Sequence, residues 1–406
     1  MTHAANDAIG HAADGEHAAG AMNVGMVAGE ASGDLLAAAV LRGLRAVHPR
    51  VDARGIGGPA MAQQDFRNWW SIRELSVSGY VEVLNAYPRL LRMRDQLRRR
   101  LIDWQPDVFV GVDAPDFNLD LEVALRQQGV RVAHFISPSI WAWRRERIDK
   151  IRRAVDHMLL VFPFEQAIYD QAGIPATFVG HPLAESIPLV PDAPAARRRL
   201  GLPEQARIVA LLPGSRQSEV MHLGGVFIET AAWLAKRRPA LHFVLPAANA
   251  DLYQRLRQKL ATTGIGEHLS FTLIEGRSHD VMAAADACLV ASGTATLEAA
   301  LFKRPMVIAY KMAWLNYRIM RNKGYLPWIG LPNILCQQTV VPEFIQHAAT
   351  APAMGQALLE QMESASTIAE LTQRFTDLHL SLRRDCAGLA SEVLASLANR
   401  PAGDRR

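Results

Sequence analysis

A chain of 406 residues, half of them hydrophobic, is long enough for two or more domains with full apolar cores. With 44 Lys and Arg against 40 Asp and Glu, the net charge of +4 is too even a balance to imply a nucleic-acid partner. The three cysteines, Cys288, Cys336 and Cys386, are widely spaced and odd in number, which excludes a disulfide framework and a cysteine metal site and points to a reducing compartment.

Residues 1–20 are rich in Ala, His, Gly and Asp, without the basic start and apolar core of a secretory signal, and read as a disordered tail carrying His3, His11 and His17. The ordered chain opens with a strand at Val24–Ala28, the turn Gly29-Glu30-Ala31-Ser32-Gly33-Asp34, and an Ala/Leu-rich helix through Leu44. A second strand and glycine turn follow from Val51 to Gly58, where Gly55-Ile56-Gly57-Gly58-Pro59 has the wrong spacing for a dinucleotide fingerprint, so NAD is discounted. From Leu75 to Leu101 apolar residues interleave with Arg89, Arg92, Arg94, Arg98, Arg99 and Arg100, and Pro88 divides the stretch into two helices, the second starting at the proline. Two readings of it stand: a core-facing helix with a solvated basic face, or a surface for anionic lipid. No apolar run is long enough to span a bilayer, so membrane contact would be peripheral.

Strands and helices then alternate: Val108–Val112, a helix from Leu119, Val130–Ile136, a helix after Trp143, Met158–Phe162, a helix from Glu165, and Thr177–Val179. The pattern breaks into Pro- and Ala-rich sequence between Pro182 and Pro203, with Arg197-Arg198-Arg199, and restarts with Ile208–Leu212, a helix over Gly224–Lys236 and Leu241–Leu245. A helix at Leu252–Leu260, a strand at Leu269–Leu273, a short helix at Val281–Ala284 and strands at Ala287–Val290 and Met306–Tyr310 complete the second run, and Val341–Leu397 reads as largely helical. This rhythm predicts an α/β protein with two Rossmann-like, doubly wound parallel-sheet domains and a helical C-terminus.

Ligands of open parallel sheets bind beyond the carboxyl ends of the strands. After Cys288–Val290 the chain turns through Ser292-Gly293-Thr294-Ala295-Thr296 into a helix carrying Glu298. Gly293 allows close backbone approach, the helix start offers free N–H groups, Ser292, Thr294 and Thr296 add hydroxyls, and Glu298 can accept from a ribose diol. The same residues also make an ordinary helix cap, and on this stretch alone both readings stand. In Pro213-Gly214-Ser215-Arg216 a guanidinium just past a glycine turn can grip a diphosphate, or form a surface pair with Glu219; the two turns together favour the diphosphate. In the first half Asp113, partly desolvated by Phe117, is placed to take a proton from a hydroxyl, or to brace its turn, while Asp116 reads as a helix cap. Glu30, Ser32 and Asp34 share that edge, as second-substrate ligands or caps, and the lone His134 and His181 read as structural. No D-x-D, H-E-x-x-H, C-x-x-C, G-x-S-x-G or Walker motif is present, so no metal and no cofactor is expected, and an esterase or ATPase is disfavoured.

Six segments in order resemble the lipid-A-disaccharide synthase family: Gly29–Asp34, Gly111–Asn118, Ser137–Arg144, Leu212–Arg216, Ala291–Glu298 and Leu331-Pro332-Asn333, within a likeness running from about Asn23 to about Leu397. The resemblance implies the glycosyltransferase B fold, two domains facing a cleft, and inverting, metal-independent transfer of 2,3-diacylglucosamine from UDP to 2,3-diacylglucosamine 1-phosphate (lipid X). It implies UDP binding by Gly214, Ser215, Arg216, Ser292, Gly293, Thr294, Thr296, Glu298 and Asn333, Asp113 as base, and acceptor binding by Glu30, Ser32, Gly33 and Asp34. It divides the chain into a tail (1–20), an acceptor and membrane-facing domain (21–185), a linker (186–204), a UDP-sugar domain (205–370) and helices packing back toward the first domain (371–406). Its expected setting is the cytoplasmic face of the inner membrane, held peripherally by an anionic surface, with a homodimer compatible and no nucleic acid. The competing readings are a UDP-sugar epimerase of the same fold and a non-catalytic lipid- or nucleotide-binding membrane adaptor.

Overall fold

A computed structural model describes residues 20–48, 50–75, 80–263, 269–314, 317–318 and 325–399. The predicted tail with His3, His11 and His17, and residues 76–79 of the basic stretch, lie outside the described residues. The chain divides into two units, one running to Pro182 and taking up the chain again from Arg384, the other spanning Leu183–Arg383.

The first unit is built on seven parallel strands: β1 (Met22–Ala28), β2 (Val51–Gly57), β3 (Arg67–Ser71), β4 (Val108–Val112), β5 (Arg131–Phe135), β6 (His157–Leu160) and β7 (Ala176–Phe178). Their order is β3-β2-β1-β4-β5-β6-β7, so the direction of winding reverses between β1 and β4. β4 is Val-Phe-Val-Gly-Val and buried throughout, as a strand covered on both faces must be. The helix Ala31–Val47 lays Leu36, Ala37, Val40, Leu41 and Leu44 inward at helical spacing. Against it packs the last helix, Cys386–Ala398, which buries Cys386, Ala390, Leu394 and Leu397. The two approach closely because Gly43 has no side chain: a Cβ there would stand 2.4 Å from Ser391 Oγ. Ser391 also donates to the Val40 carbonyl.

The second unit carries β8 (Arg207–Leu212), β9 (Leu241–Ala247), β10 (Phe271–Glu275), β11 (Ala287–Ala291), β12 (Met306–Tyr310) and β13 (Glu343–Ile345), all parallel, in the order β10-β9-β8-β11-β12-β13. Winding here reverses between β8 and β11. One core joins Val209 and Leu211 of β8, Leu223, Phe227 and Leu234 of the helix Gln217–Ala235, and Met354 and Leu358 of the helix Ala351–Glu363.

Several elements differ from the sequence-based expectation. Tyr80–Trp104 is one helix with Pro88 inside it. Pro88 is exposed, so its missing N–H falls on the solvent side, while buried Met93, Leu97, Leu101 and Trp104 hold the rest of the helix to the core. The helix expected from Gly224 starts at Gln217, with Gly224 and Gly225 in its interior, where Leu256 and Lys259 of the helix Ala250–Thr263 close in on them. The stretch 186–204 contains a helix, Ala193–Leu200, anchored within the second unit by Arg197, which donates to the Ala284 carbonyl and pairs with Asp286. Of the C-terminal helices, Ala365–Leu382 stays in the second unit, where Lys303 donates to His379; only Cys386–Ala398 belongs to the first. β3 and β13 were not anticipated, one being a half-exposed edge strand and the other three residues long.

The last helix therefore completes the core of the first unit. Leu394→Ala is expected to lower stability by about 2–5 kcal/mol, read as a shift of the urea unfolding midpoint followed by circular dichroism.

Candidate active site

Both reversals of winding open a gap between neighbouring loops at the carboxyl edge of a sheet, and the loops flanking them are those singled out by the sequence. In the second unit β8 leads into Gly214-Ser215-Arg216 and its sheet partner β11 into Ser292–Thr296. Gly214 adopts φ +118°, and a Cβ on it would lie 2.3 Å from Glu219 Oε2. That carboxylate accepts from the N–H groups of Ser215 (3.0 Å) and Arg216 (3.2 Å), so the start of the helix Gln217–Ala235 is capped by its own third residue. Arg216 touches Glu219 at 3.4 Å, yet its side chain is 75% exposed, which leaves the guanidinium free to take an anion. Tyr310, at the end of β12, was missed: burial raises its phenol pKa, and the charges of Glu219 and Arg216 act on it with opposite sign.

The helix Thr294–Leu301 starts from Gly293, at φ +149° and without a side-chain cap. Gly293 and Thr294 are exposed, so their N–H groups and the helix dipole point outward. The other two hydroxyls are committed elsewhere. Ser292 Oγ donates to the Ile329 carbonyl (2.8 Å); buried Thr296 donates to the Gly293 carbonyl (2.8 Å) and accepts from Leu331 N–H (3.2 Å). They stitch the turn to residues 329–331. Glu298 sits 3.6 Å from His279, whose pKa is raised chiefly by that carboxylate against the opposing effect of burial. Nothing in the sequence marked His279, because it lies 19 residues from its partner.

Asn333 is fully buried and its amide is saturated. It donates to the Val341 carbonyl and Glu343 Oε1 and accepts from the N–H groups of Val340 and Val341. Read as a donor ligand in the sequence, it is here the clasp that ties the helix Leu331–Cys336 to β13.

In the first unit Gly29, after β1, faces Ala114, after β4; a Cβ on Gly29 would stand 2.4 Å from that of Ala114. Asp113 and Ala114 both adopt left-handed φ values, +54° and +46°, and Ile136 at the end of β5 has φ +75°, rare for a β-branched residue. The strained Asp113 is held at both ends, its N–H donating to the Phe135 carbonyl (2.9 Å) and its carbonyl accepting from Asn118 Nδ2 (2.8 Å), and it is half-buried. Asp116 is exposed and pairs with Arg147. Glu30 and Ser32 are exposed at the same edge, but Gly33 is buried against Val112. Asp34 is buried too, its carboxylate accepting from the N–H groups of Gly58 (2.8 Å), Ala60 (2.9 Å) and Met61 (3.1 Å). Assigned to the acceptor on sequence, Asp34 instead caps the short helix Pro59–Ala62 across the β1–β2 connection.

The segment Ser137–Arg144 is mostly scaffold. Trp141 Nε1 donates to Glu165, a carboxylate that burial pushes up to about 7, and Ser137 hydrogen-bonds Tyr169. Burial lowers His181, beside Phe162, to about 4. Trp143 is half-buried, and exposed Arg144 stacks over its ring at 4.3 Å.

The sequence model of the family described as lipid-A-disaccharide synthetase matches residues 24–395. The chain belongs to this family. A lipid-A-disaccharide synthase of Albidiferax ferrireducens is 53% identical over 378 residues, covering 92% of this chain and 96% of the relative. Among solved structures, Anabaena HepE in complex with UDP and glucose superposes with a TM-score of 0.55 at 14% identity, covering 93% of this chain and 99% of that one. The Neisseria meningitidis UDP-GlcNAc 2-epimerase bound to UDP-GlcNAc does so with a TM-score of 0.60 at 12% identity, over 92% and 99%. These two likenesses show the glycosyltransferase B architecture, which transferases and epimerases share. Lipid-A-disaccharide synthases are glycosyltransferases, and membership of the family makes this chain an enzyme of that class.

The geometry separates caps from open ligands. Asp34→Ala strands three backbone N–H groups and should cost about 2–4 kcal/mol of stability while leaving UDP affinity unchanged, a pair of effects that thermal melts and titration calorimetry separate.

Proposed function

We propose that this synthase moves 2,3-diacylglucosamine from UDP to the hydroxyl of 2,3-diacylglucosamine 1-phosphate, with inversion at the transferred carbon, forming a β-1′,6-linked disaccharide and UDP. The carrying observation is that Asp113 and the Arg216 and Thr294 turns each end a strand beside the reversal of winding in their own sheet. Asp113 takes the proton of the acceptor hydroxyl as its oxygen attacks the sugar C1. The bond from C1 to the diphosphate oxygen breaks with its electron pair going to UDP, so no covalent intermediate forms. Arg216 and the uncapped N-terminus of the helix Thr294–Leu301 stabilise the charge that grows on the diphosphate. Glu298, steadied by His279, receives the ribose hydroxyls. Gly214, Ser215, Gly293 and Thr294 line the approach to the diphosphate, whereas Ser292, Thr296 and Asn333 support that edge from behind. Glu30 and Ser32 meet the acceptor, with Gly33 and Asp34 shaping the turn that carries them.

An epimerase needs one substrate and no acceptor; the synthase reading is supported by 53% identity to a named synthase, against 12% to the epimerase. Asp113→Asn is expected to reduce turnover by about 10²–10⁴-fold with UDP affinity intact; near-normal rates would remove Asp113 from the chemistry. Arg216→Ala should weaken UDP binding by about tenfold or more, and unchanged affinity by calorimetry would make it a surface residue.

Peripheral attachment at the cytoplasmic face of the inner membrane belongs to the same proposal. Among the described residues no helix is long and apolar enough to cross a membrane. Tyr87 and Leu91 are exposed on the helix Tyr80–Trp104 next to exposed Arg89 and Arg92, a mixture suited to an anionic interface. The basic charge is smaller than the sequence suggests, because Arg94 pairs with Asp120 and Arg98 and Arg99 with Asp95. Flotation with anionic liposomes at low salt should carry the protein upward, and Leu91→Ser with Arg92→Ser should release it; failure to float would remove the membrane contact.

A further inference from the structure

The acceptor proposed above carries a phosphate monoester, close to two negative charges at neutral pH. The side chains so far assigned to it, Glu30, Ser32 and Asp113, bring carboxylates and a hydroxyl, and carboxylates repel such a group. Its counter-charge must come from elsewhere on the same edge. Glu30 follows β1 and Asp113 follows β4, while β5 flanks β4 on the side away from β1. The loop after β5 is the segment Ser137–Arg144, which the sequence singles out and the transfer described above leaves without a part.

This loop holds one cation in place. At its base Trp141 Nε1 donates to buried Glu165, and the Trp141 ring stands edge-on to Phe162 and Phe164 at 6.3 and 5.4 Å. The N–H groups of Ala142 and Trp143 both donate to the Ser139 carbonyl (3.1 Å each), closing a turn that leads into Arg144. Arg144 adopts φ +58°, and its carbonyl accepts from Arg147 N–H (3.0 Å) at the start of the helix Arg147–Ala154. Its exposed guanidinium lies over the Trp143 ring, 4.3 Å from the centroid, and has no carboxylate partner among the described residues. Stacking restrains the planar group and leaves its N–H edges open, the arrangement that takes a phosphate bidentately.

The same ring joins Arg144 to the loop of the base. Arg147 also faces Trp143, at 5.9 Å, and pairs with Asp116, three residues beyond Asp113. That pair occupies Arg147 and neutralises Asp116, so the carboxylate nearest the stacked arginine is already balanced. Asp113 N–H donates to the Phe135 carbonyl at the end of β5, and neighbouring strands stand about 5 Å apart, so the two loops leave the sheet side by side. That interval is of the order of one sugar ring, which separates the 6-hydroxyl of the acceptor from its 1-phosphate. Arg73, after β3, stands three strands away from β4.

We propose that Arg144, stacked on Trp143, binds the phosphate monoester of the acceptor and so selects acceptors that carry one. This rests on the transfer and the base proposed above. The phosphate makes and breaks no bond; held by Arg144, it turns the 6-hydroxyl toward Asp113.

The test is turnover of the full-length enzyme with 2,3-diacylglucosamine 1-phosphate and with its dephosphorylated analogue, 2,3-diacylglucosamine, as acceptors. Wild type should favour the phosphorylated acceptor in kcat/KM by about tenfold or more, and Arg144→Gln should shrink that ratio by about tenfold, with UDP affinity changed less than about threefold. A ratio taken within one preparation does not depend on how much of the variant is folded. Arg144→Lys, a point charge without the fork, should restore part of the ratio, and Trp143→Leu, which removes the platform and keeps the cation, should lower it by less than Arg144→Gln does. An Arg144→Gln enzyme that keeps the wild-type ratio overturns the inference, as does one that loses rate equally on both acceptors. Anionic phospholipid offers the same phosphate chemistry: if Arg144→Gln abolishes flotation with anionic liposomes and leaves the ratio intact, Arg144 belongs to a membrane surface and the inference fails. Wild-type enzyme that transfers to neither acceptor would overturn the synthase reading itself, and the inference with it, a result separable from a lost ratio.

Discussion

Covering both faces of a parallel sheet leaves its strands no room for chemistry along their length. β4 and β11 are buried at every position, and so are five of the six residues of β8. Polar side chains that must meet a ligand are then pushed to the strand ends, and only where neighbouring connections depart to opposite faces does a gap open between them. Each unit has one such place, between β1 and β4 and between β8 and β11. Everything argued about catalysis follows from that restriction: Asp113, Glu30 and Arg216 are residues of loops and Thr294 opens a helix, each just past the end of a strand.

The restriction also explains what was legible in the sequence. Continuous apolar runs such as Val108–Val112 and Ile208–Leu212 announced buried parallel strands, and the small polar turns after them announced the edge. The sequence does not distinguish an unoccupied polar side chain from one already engaged by the fold. Asp34 has the same look as Asp113, but its partners are the N–H groups of residues 24 to 27 positions away. Asn333 and Thr296 likewise spend their polar atoms on the backbone of the neighbouring loops. His134 is engaged in the same manner: a lone histidine at a strand end carries no local mark of its hydrogen bond to the Glu122 carboxylate twelve residues earlier. Pro88 misled because helix breaking depends on which side of the helix loses its N–H, a tertiary fact.

Charge is arranged with similar economy. Much of the arginine content that suggests a broad basic surface is neutralised by a nearby carboxylate or stacked on an aromatic ring, as with Arg98 on Asp95 and Arg54 on Asp52 and over Trp104. At the edge of the second sheet Arg216 keeps an exposed guanidinium. In the proposed site a diphosphate would be bound by a few charges and by helix-start amides, and not by a general positive field.

The helix Cys386–Ala398 covers the face of Ala31–Val47 although the whole second unit separates them in the chain. During vectorial synthesis the first sheet emerges from the ribosome with its first helix bare on one flank, and stays so until Cys386–Ala398 is translated. A message truncated anywhere within the last unit would release a polypeptide with that greasy strip uncovered, a natural substrate for chaperones and proteases. Completion of the first sheet's cover is in this way made conditional on translation through the whole second unit and on into Cys386–Ala398.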